Sequence, residues 1–186
     1  MFKRGSGFWC GAIRLWLVRC LLGIATFSCC HAVAAPSEGE LRAAVIVAIM
    51  RFTSWQAEPL DKSVLNVCLV GKPISEAVLL SISGEQKVAT RALSVRSVRR
   101  QLDACQIVVI GEDVNEVEYE RLIAEANEKS MLTVCDGCRR GLGEDAIIQL
   151  RLRQQRVSFE VNLSRARSSG VALDAQLLEL ATVVRK

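Results

Sequence analysis

The apolar positions of the chain follow two different spacings, and each spacing predicts a different kind of element. Between residues 38 and 52 they keep the 3.6-residue period of a helix. Residues 64–70 and 106–110 are nearly continuous apolar runs followed by glycine, a pattern typical of strands buried on both faces of a parallel sheet. Further helices are predicted over 74–83, 96–104 and 116–129, and further strands over 88–95 and 131–134.

The spacing changes to strict alternation in the last third of the chain. Apolar and polar residues alternate over 148–153 and again over 157–162, which predicts an antiparallel hairpin with one apolar face. Asn162 is placed to cap a short helix that ends at Gly170, and Asp174 to cap a final helix. The residues of that final helix expected to face the core are Leu177, Leu178, Ala181 and Val184.

Together these elements predict one α/β domain over residues 35–186. We expect a mostly parallel, twisted sheet with helices on both faces and a C-terminal antiparallel hairpin.

Residues 1–34 have the layout of a secretory signal peptide. Lys3 and Arg4 give a positively charged start, an apolar run follows, and Ala32-Val33-Ala34 fits a signal-peptidase site. We therefore expect cleavage after Ala34 and export to the periplasm. A retained membrane anchor is the alternative, although Arg19 interrupts the apolar stretch that a membrane span needs.

Removal of residues 1–34 changes the composition of the chain. The full sequence has 24 basic and 20 acidic residues, and four of the basic ones but no acidic one lie in this segment, so residues 35–186 are neutral. The one histidine, His31, is lost as well. A neutral chain gives no electrostatic argument for nucleic acid. Without an imidazole, Ser-His or Cys-His catalysis and the usual zinc sites are excluded, and we expect a non-enzymatic protein without metal or cofactor.

Three blocks of sequence resemble the YfiR/HmsC-like family of small periplasmic proteins. The first is Arg51-Phe52-Thr53-Ser54-Trp55, at the end of the opening helix. The second comprises the strands over 65–71 and 105–110. The third runs from 156 to 163 and continues through 169–171 to 177–178. The resemblance extends from about Leu41 to Val184.

The resemblance implies a regulator. The best-understood members restrain an inner-membrane diguanylate cyclase by binding its periplasmic sensory domain, and are relieved by a partner such as an outer-membrane lipoprotein or by redox stress. We therefore expect a repressor that controls cyclic di-GMP and biofilm formation. A thiol–disulfide oxidoreductase acting through Cys135 and Cys138, and a periplasmic binder of a small solute, are the alternatives.

The four cysteines beyond residue 34 are Cys68, Cys105, Cys135 and Cys138. An even number in an exported chain suggests two disulfides, and the placement of Cys68 and Cys105 on neighbouring strands favours that pair. Closing this longer loop restricts the unfolded chain more than closing the C-x-x-C does, so we expect the first bridge to be structural and the second reducible. Buried free thiols are the alternative for Cys68 and Cys105. Cys135 and Cys138 lie closer together than the second pair in family members known to have one.

The first helix is apolar nearly all round. The stripe expected to face the sheet is Leu41, Ala44, Val45, Ala48, Ile49 and Phe52. A second stripe of Ala43, Ile46, Val47 and Met50, with Trp55 beyond it, is the candidate surface for the sensory domain or for a second copy in a homodimer. Burial between the sheet and the final helix is the alternative.

A set of arginines is a further candidate surface, for anionic headgroups or an acidic partner, with a solvated coat as the alternative. Its members are Arg91, Arg96, Arg99, Arg100, Arg139, Arg140, Arg151, Arg153, Arg156, Arg165 and Arg167.

Overall fold

A computed structural model describes residues 35–56, 63–139 and 141–186. By its internal contacts the chain divides into Met1–Ala35 and Pro36–Lys186, and the description that follows concerns the second unit. The predicted signal peptide and Arg140 lie outside the described residues.

Helices are interspersed with one to three successive strands along this unit. The helices are α1 (Glu38–Arg51), α2 (Glu76–Ser81), α3 (Glu116–Glu128), α4 (Leu163–Ser168) and α5 (Ala175–Leu180). The strands are β1 (Thr53–Trp55), β2 (Val64–Val70), β3 (Lys87–Val88), β4 (Arg91–Ser97), β5 (Ile107–Ile110), β6 (Leu132–Cys135), β7 (Ile148–Arg153), β8 (Arg156–Asn162), β9 (Val171–Leu173) and β10 (Val183–Arg185). None of the helices in the described part of the chain has the length and apolar content needed to span a bilayer.

Most of the strands join one sheet, in the order β10-β8-β7-β6-β5-β2-β4-β3. The five central strands β7, β6, β5, β2 and β4 run parallel to one another. β8 is antiparallel to β7, and β3 is antiparallel to β4. β10 lies parallel to β8 at one edge. β1 and β9 form a separate antiparallel pair. The predicted α/β fold with a C-terminal hairpin is confirmed.

The sheet separates two apolar cores. The larger one contains buried residues of α1, α2, α4 and α5, such as Ile46 and Leu177. The smaller one lies against α3, which contributes Leu122. Alternate residues of the central strands enter the two cores, so that in β2 Leu69 belongs to the larger and Cys68 to the smaller. Burial on both faces explains why these strands are nearly continuous apolar runs.

Side-chain caps fix the starts of several helices. The Asn162 side chain accepts a hydrogen bond from the amide of Arg165 at 2.9 Å, and Asp174 accepts one from Gln176 at 2.8 Å. Both predicted caps are confirmed. Such caps typically stabilise a helix by about 1 kcal/mol, a substantial share for helices as short as α4 and α5.

The predicted helix over 96–104 is wrong. β4 continues to Ser97, and the chain then reaches β5 as an irregular segment. Two features hold this segment: Leu102 is fully buried in the smaller core, and Cys105 is covalently joined to β2. The spacing of Val98 and Leu102 suggested a helical face, but Val98 is only partly buried.

The final helix is shorter than predicted. It ends at Leu180, and the amide of Thr182 donates to the carbonyl oxygen of Phe159, which starts the edge strand β10. Leu177 is buried as expected, whereas Val184 reaches the larger core from a strand and not from a helix.

The orientation predicted for α1 is also wrong. Ala44 and Ala48 are exposed, while Ala43, Ile46 and Met50 are buried against the sheet together with Ile49. An almost uniformly apolar helix has no polar face to settle its rotation, so distant contacts decide it.

The turn between β7 and β8 is tight and strained. Its two central residues, Gln154 and Gln155, have φ values of 48° and 60°. A two-residue hairpin turn of this kind favours Asn-Gly, because side chains other than glycine cost free energy in the left-handed region.

We expect Gln155→Gly to raise the free energy of unfolding by about 1 kcal/mol, because it removes the left-handed strain while adding some unfolded-state entropy. For a chain of this size this corresponds to a rise in Tm of about 3 °C in thermal unfolding. The control is Gln101→Gly, at an exposed residue that does not have a positive φ, and it is expected to lower Tm. Equal effects of the two changes would contradict the assignment of strain to the turn.

Candidate functional site

A disulfide joins Cys68 of β2 to Cys105, which precedes β5, with a Cα–Cα distance of 5.9 Å. This is the pair that strand adjacency favours. Both residues are almost completely buried in the smaller core. The bridge closes a loop of about 37 residues, which on the chain-entropy model removes about 4 kcal/mol of unfolded-state freedom. It therefore anchors the irregular segment between β4 and β5.

A second disulfide joins Cys135, the last residue of β6, to Cys138, with a Cα–Cα distance of 5.6 Å. Cys135 is buried, whereas Cys138 is partly exposed. Gly143 packs so closely on the bridge that a Cβ there would lie 2.7 Å from the Cys135 sulfur. The bridge closes only a four-residue loop, worth about 2 kcal/mol on the same model.

The surroundings of the C-x-x-C differ from those of a thiol-exchange site. Such sites place the first cysteine exposed at a helix N-terminus, where the helix dipole lowers the thiol pKa. Here Cys135 is buried at a strand end, and no helix follows Cys138 within the described residues before β7. Burial, aided by the charge of Asp145, raises the pKa of nearby Tyr119 to about 12, so this phenol stays neutral.

Asp136 forms a buried polar cluster beside the second bridge. Its carboxylate accepts a hydrogen bond at 2.8 Å from the Arg42 guanidinium of α1. The amide and hydroxyl of Ser75, just before α2, donate to it at 2.9 and 2.6 Å. Arg42 also contacts Glu38 at 2.7 Å. The C-x-x-C loop, α1 and α2 are therefore joined through one carboxylate that is completely buried.

The loops that follow β2 and β5 touch at the carboxyl edge of the sheet, where the following helices leave on opposite faces. Ligands of open α/β sheets commonly bind in such a crevice. Here the amide of Gly111 donates to the carbonyl oxygen of Val70 at 2.9 Å. A Cβ at Gly111 would overlap the carbonyl oxygen of Gly71, and one at Gly71 would overlap Val114. The two loops are packed against each other here, and an open cavity of about 270 Å³ lies beside them, lined by residues of both loops such as Gly71 and Val114.

The candidate partner residues lie in different environments. Ala43, Ile46 and Met50 are each no more than 2% exposed and belong to the larger core, and Ala43 in addition lines a groove between α1 and α2. Val47 and Trp55 are only partly buried. Helical spacing predicts that all five residues share one surface stripe. The observed rotation of α1 contradicts this, because it buries three of them.

An exposed groove lies between α1 and α2, with a volume of about 320 Å³. Ala44, Val47 and Ala48 form one wall, and Val78 and Ile82 form the other. Its polar rim consists of Glu40, Arg51 and Gln86. Small side chains on the first wall permit close approach of another backbone.

Trp55 lies away from this groove on β1, where it pairs in register with Val171 of β9. The guanidinium of Arg91 lies 5.7 Å from the centre of its ring, within cation–π range. Its partly buried ring packs against the larger core.

The profile of a family described as YfiR/HmsC-like matches residues 39–182. The chain belongs to the YfiR/HmsC-like family. No curated protein matches the chain.

The YfiR/HmsC-like family is periplasmic and regulatory, and its members act in cyclic di-GMP signalling. A regulatory role in that signalling therefore extends to this chain. The family in general interacts with the periplasmic domain of a diguanylate cyclase. Among the described residues, no group of three or more His, Cys, Asp or Glu side chains is arranged to hold a metal ion.

Two parts of the candidate site were missed by the sequence patterns of this YfiR/HmsC-like chain. Arg42 is a charged residue inside a helix that is otherwise apolar on its buried side, and this was a usable signal of a buried partner. The partner Asp136 lies 94 residues away in a glycine-rich loop and reads as a turn residue. The groove is not predicted because the stripe expected to face the sheet includes Ala44 and Ala48, which are exposed.

We expect Asp136→Ala to lower the free energy of unfolding by about 3 kcal/mol, because it leaves the buried Arg42 without its carboxylate partner. In urea unfolding, the effects of Arg42→Leu and Asp136→Ala should be non-additive by at least about 1 kcal/mol. Asp113→Ala, which breaks an exposed ion pair with Lys72, is the control and should leave stability nearly unchanged. Additive effects of the two buried changes would contradict the coupling.

Partial reduction of the folded protein should open the Cys135–Cys138 bridge first, because Cys138 is partly exposed whereas Cys68 and Cys105 are both buried. With increasing dithiothreitol, alkylation and peptide mass spectrometry should find label on Cys135 and Cys138 before Cys68 or Cys105. A Cys135→Ser/Cys138→Ser variant should remain unlabelled at the same low reductant. Simultaneous labelling of all four cysteines would overturn this order.

Proposed function

We propose that the chain is exported by cleavage after Ala34 and represses an inner-membrane diguanylate cyclase by binding its periplasmic sensory domain. Repression would lower cyclic di-GMP and limit biofilm formation, and an outer-membrane lipoprotein would relieve it by competing for the repressor. The observation that carries this proposal is the exposed apolar groove between α1 and α2 in a chain of the YfiR/HmsC-like family.

The groove supports binding of an apolar segment of the sensory domain. Its walls are aliphatic, and its rim carries one acidic and one basic side chain, Glu40 and Arg51. A helix that inserts two or three apolar side chains fits such a groove, and the exposed alanines allow the two backbones to approach closely. The competing occupant is a second copy of the chain, which would give a homodimer through the same surface.

The second disulfide supports a redox response of the same surface. Cys135 directly precedes Asp136, and Asp136 holds Arg42 of α1 and Ser75 ahead of α2. Reduction of the Cys135–Cys138 bridge removes a covalent restraint on the loop that carries this carboxylate. The groove between α1 and α2 would then change width, and the affinity for the sensory domain with it.

We expect deletion of this gene to raise cyclic di-GMP and biofilm formation, and the wild-type gene to reverse both. Ala44→Arg/Ala48→Arg should fail to reverse them, because two long charged side chains fill the groove while both positions are exposed and helical. The matched control is Val117→Arg on α3, a valine that is 77% exposed and distant in sequence from the groove.

Binding of the purified protein to the isolated sensory domain should show whether the groove variant fails to reverse the deletion because it binds weakly or because it is unfolded. The groove variant should bind at least tenfold more weakly than the wild type by calorimetry, with its Tm unchanged. Cyclic di-GMP that stays constant on deletion across growth conditions would argue against repression. If the groove variant fully complements the deletion, the repression hypothesis stands, but the groove is excluded as the surface that binds the sensory domain.

A further inference from the structure

The β7–β8 hairpin has one face that no apolar core covers. Its inward residues, such as Leu150 and Val161, belong to the larger core, whereas no residue of β7 or β8 belongs to the smaller one. The outward face carries Arg151, Arg153 and Arg156, all exposed. The hairpin therefore presents a basic edge to solvent.

Two of these arginines are held together against their mutual repulsion. Arg153 and Arg156 are direct partners in the β7–β8 register, on either side of the strained Gln154-Gln155 turn. Like charges directly opposite each other destabilise a strand pair. No ion pair joins either guanidinium to another of the described side chains, whereas Arg151 lies 3.4 Å from Glu160. An external anion would relieve this repulsion.

The tip of the hairpin is also amphipathic. Leu152, on the opposite side of the strand from the arginines, is 40% exposed, and its register partner Val157 is only partly buried. Apolar side chains beside arginines at a projecting tip suit the boundary between lipid headgroups and acyl chains. Guanidinium groups bind phosphate through paired hydrogen bonds.

We propose that this basic edge, defined as Arg151, Arg153 and Arg156 with Leu152 at the tip, docks on an anionic phospholipid surface. This contact goes beyond the proposed repression and uses a different part of the molecule from the α1–α2 groove. An exposed hairpin tip suits a plane of phosphates, in contrast to the concave groove that suits a protein segment. Docking would hold the protein beside membrane-embedded partners and reduce its search to two dimensions.

Co-sedimentation with vesicles tests this proposal. The protein is purified after expression of the full chain. Binding is expected to vesicles of phosphatidylglycerol and phosphatidylcholine at 50 mM salt, and to be lost on pure phosphatidylcholine or at 500 mM salt. Arg153→Gln/Arg156→Gln should weaken binding about thirty-fold, since each arginine near an anionic surface contributes about fivefold. Its Tm should be unchanged or higher, because the like-charge pair is removed.

The matched control is Arg99→Gln/Arg100→Gln, which removes the same charge from another exposed pair and should bind vesicles like the wild type. Equal loss in both variants would overturn the assignment to the hairpin. Absence of vesicle binding at low salt would overturn the proposal. Displacement from vesicles by millimolar inorganic phosphate would reassign the arginines to a free anion, and tighter binding to soluble polyglutamate than to vesicles would reassign them to an acidic protein.

Discussion

The carboxylate of Asp136 is the constraint on which the arrangement around the carboxyl end of the sheet depends. The carboxylate receives hydrogen bonds from Arg42 and Ser75, and the backbone amide of Asp136 donates to the carbonyl oxygen of Ile110. A buried carboxylate is tolerated only where donors replace the water it has lost. The carboxylate keeps these donors only when α1 is rotated with Arg42 toward it, α2 starts beside Ser75 and the chain after β6 follows the observed path. These three positions also set the width of the exposed groove.

Local signals in the sequence were sufficient where one segment determines its own structure. β2 begins and ends at the predicted residues, the hairpin lies within one residue of its prediction, and the caps at Asn162 and Asp174 form as expected. Each of these features depends on neighbours a few residues apart. The family resemblance added the regulatory role, which no single residue of this chain indicates by its chemistry.

The errors lie where distant contacts override local spacing. The segment after β4 has helical spacing but is held by a disulfide and by one buried leucine, Leu102. α1 turns Ala44 and Ala48 outward because Arg42 must reach Asp136, a residue 94 positions away. Ala43, Ile46 and Met50 are buried for the same reason, since the periodicity of an apolar helix does not say which side is inside.

The two edges of the large sheet have a consequence for how any partner binds. β3 contains two residues and β10 three, so neither edge offers the row of free backbone groups that an incoming strand requires. Recognition by strand addition would depend mainly on backbone atoms and tolerate many sequences. Without it, a partner must be selected through side chains on helices and at the hairpin tip, where single substitutions can alter specificity while the fold is kept.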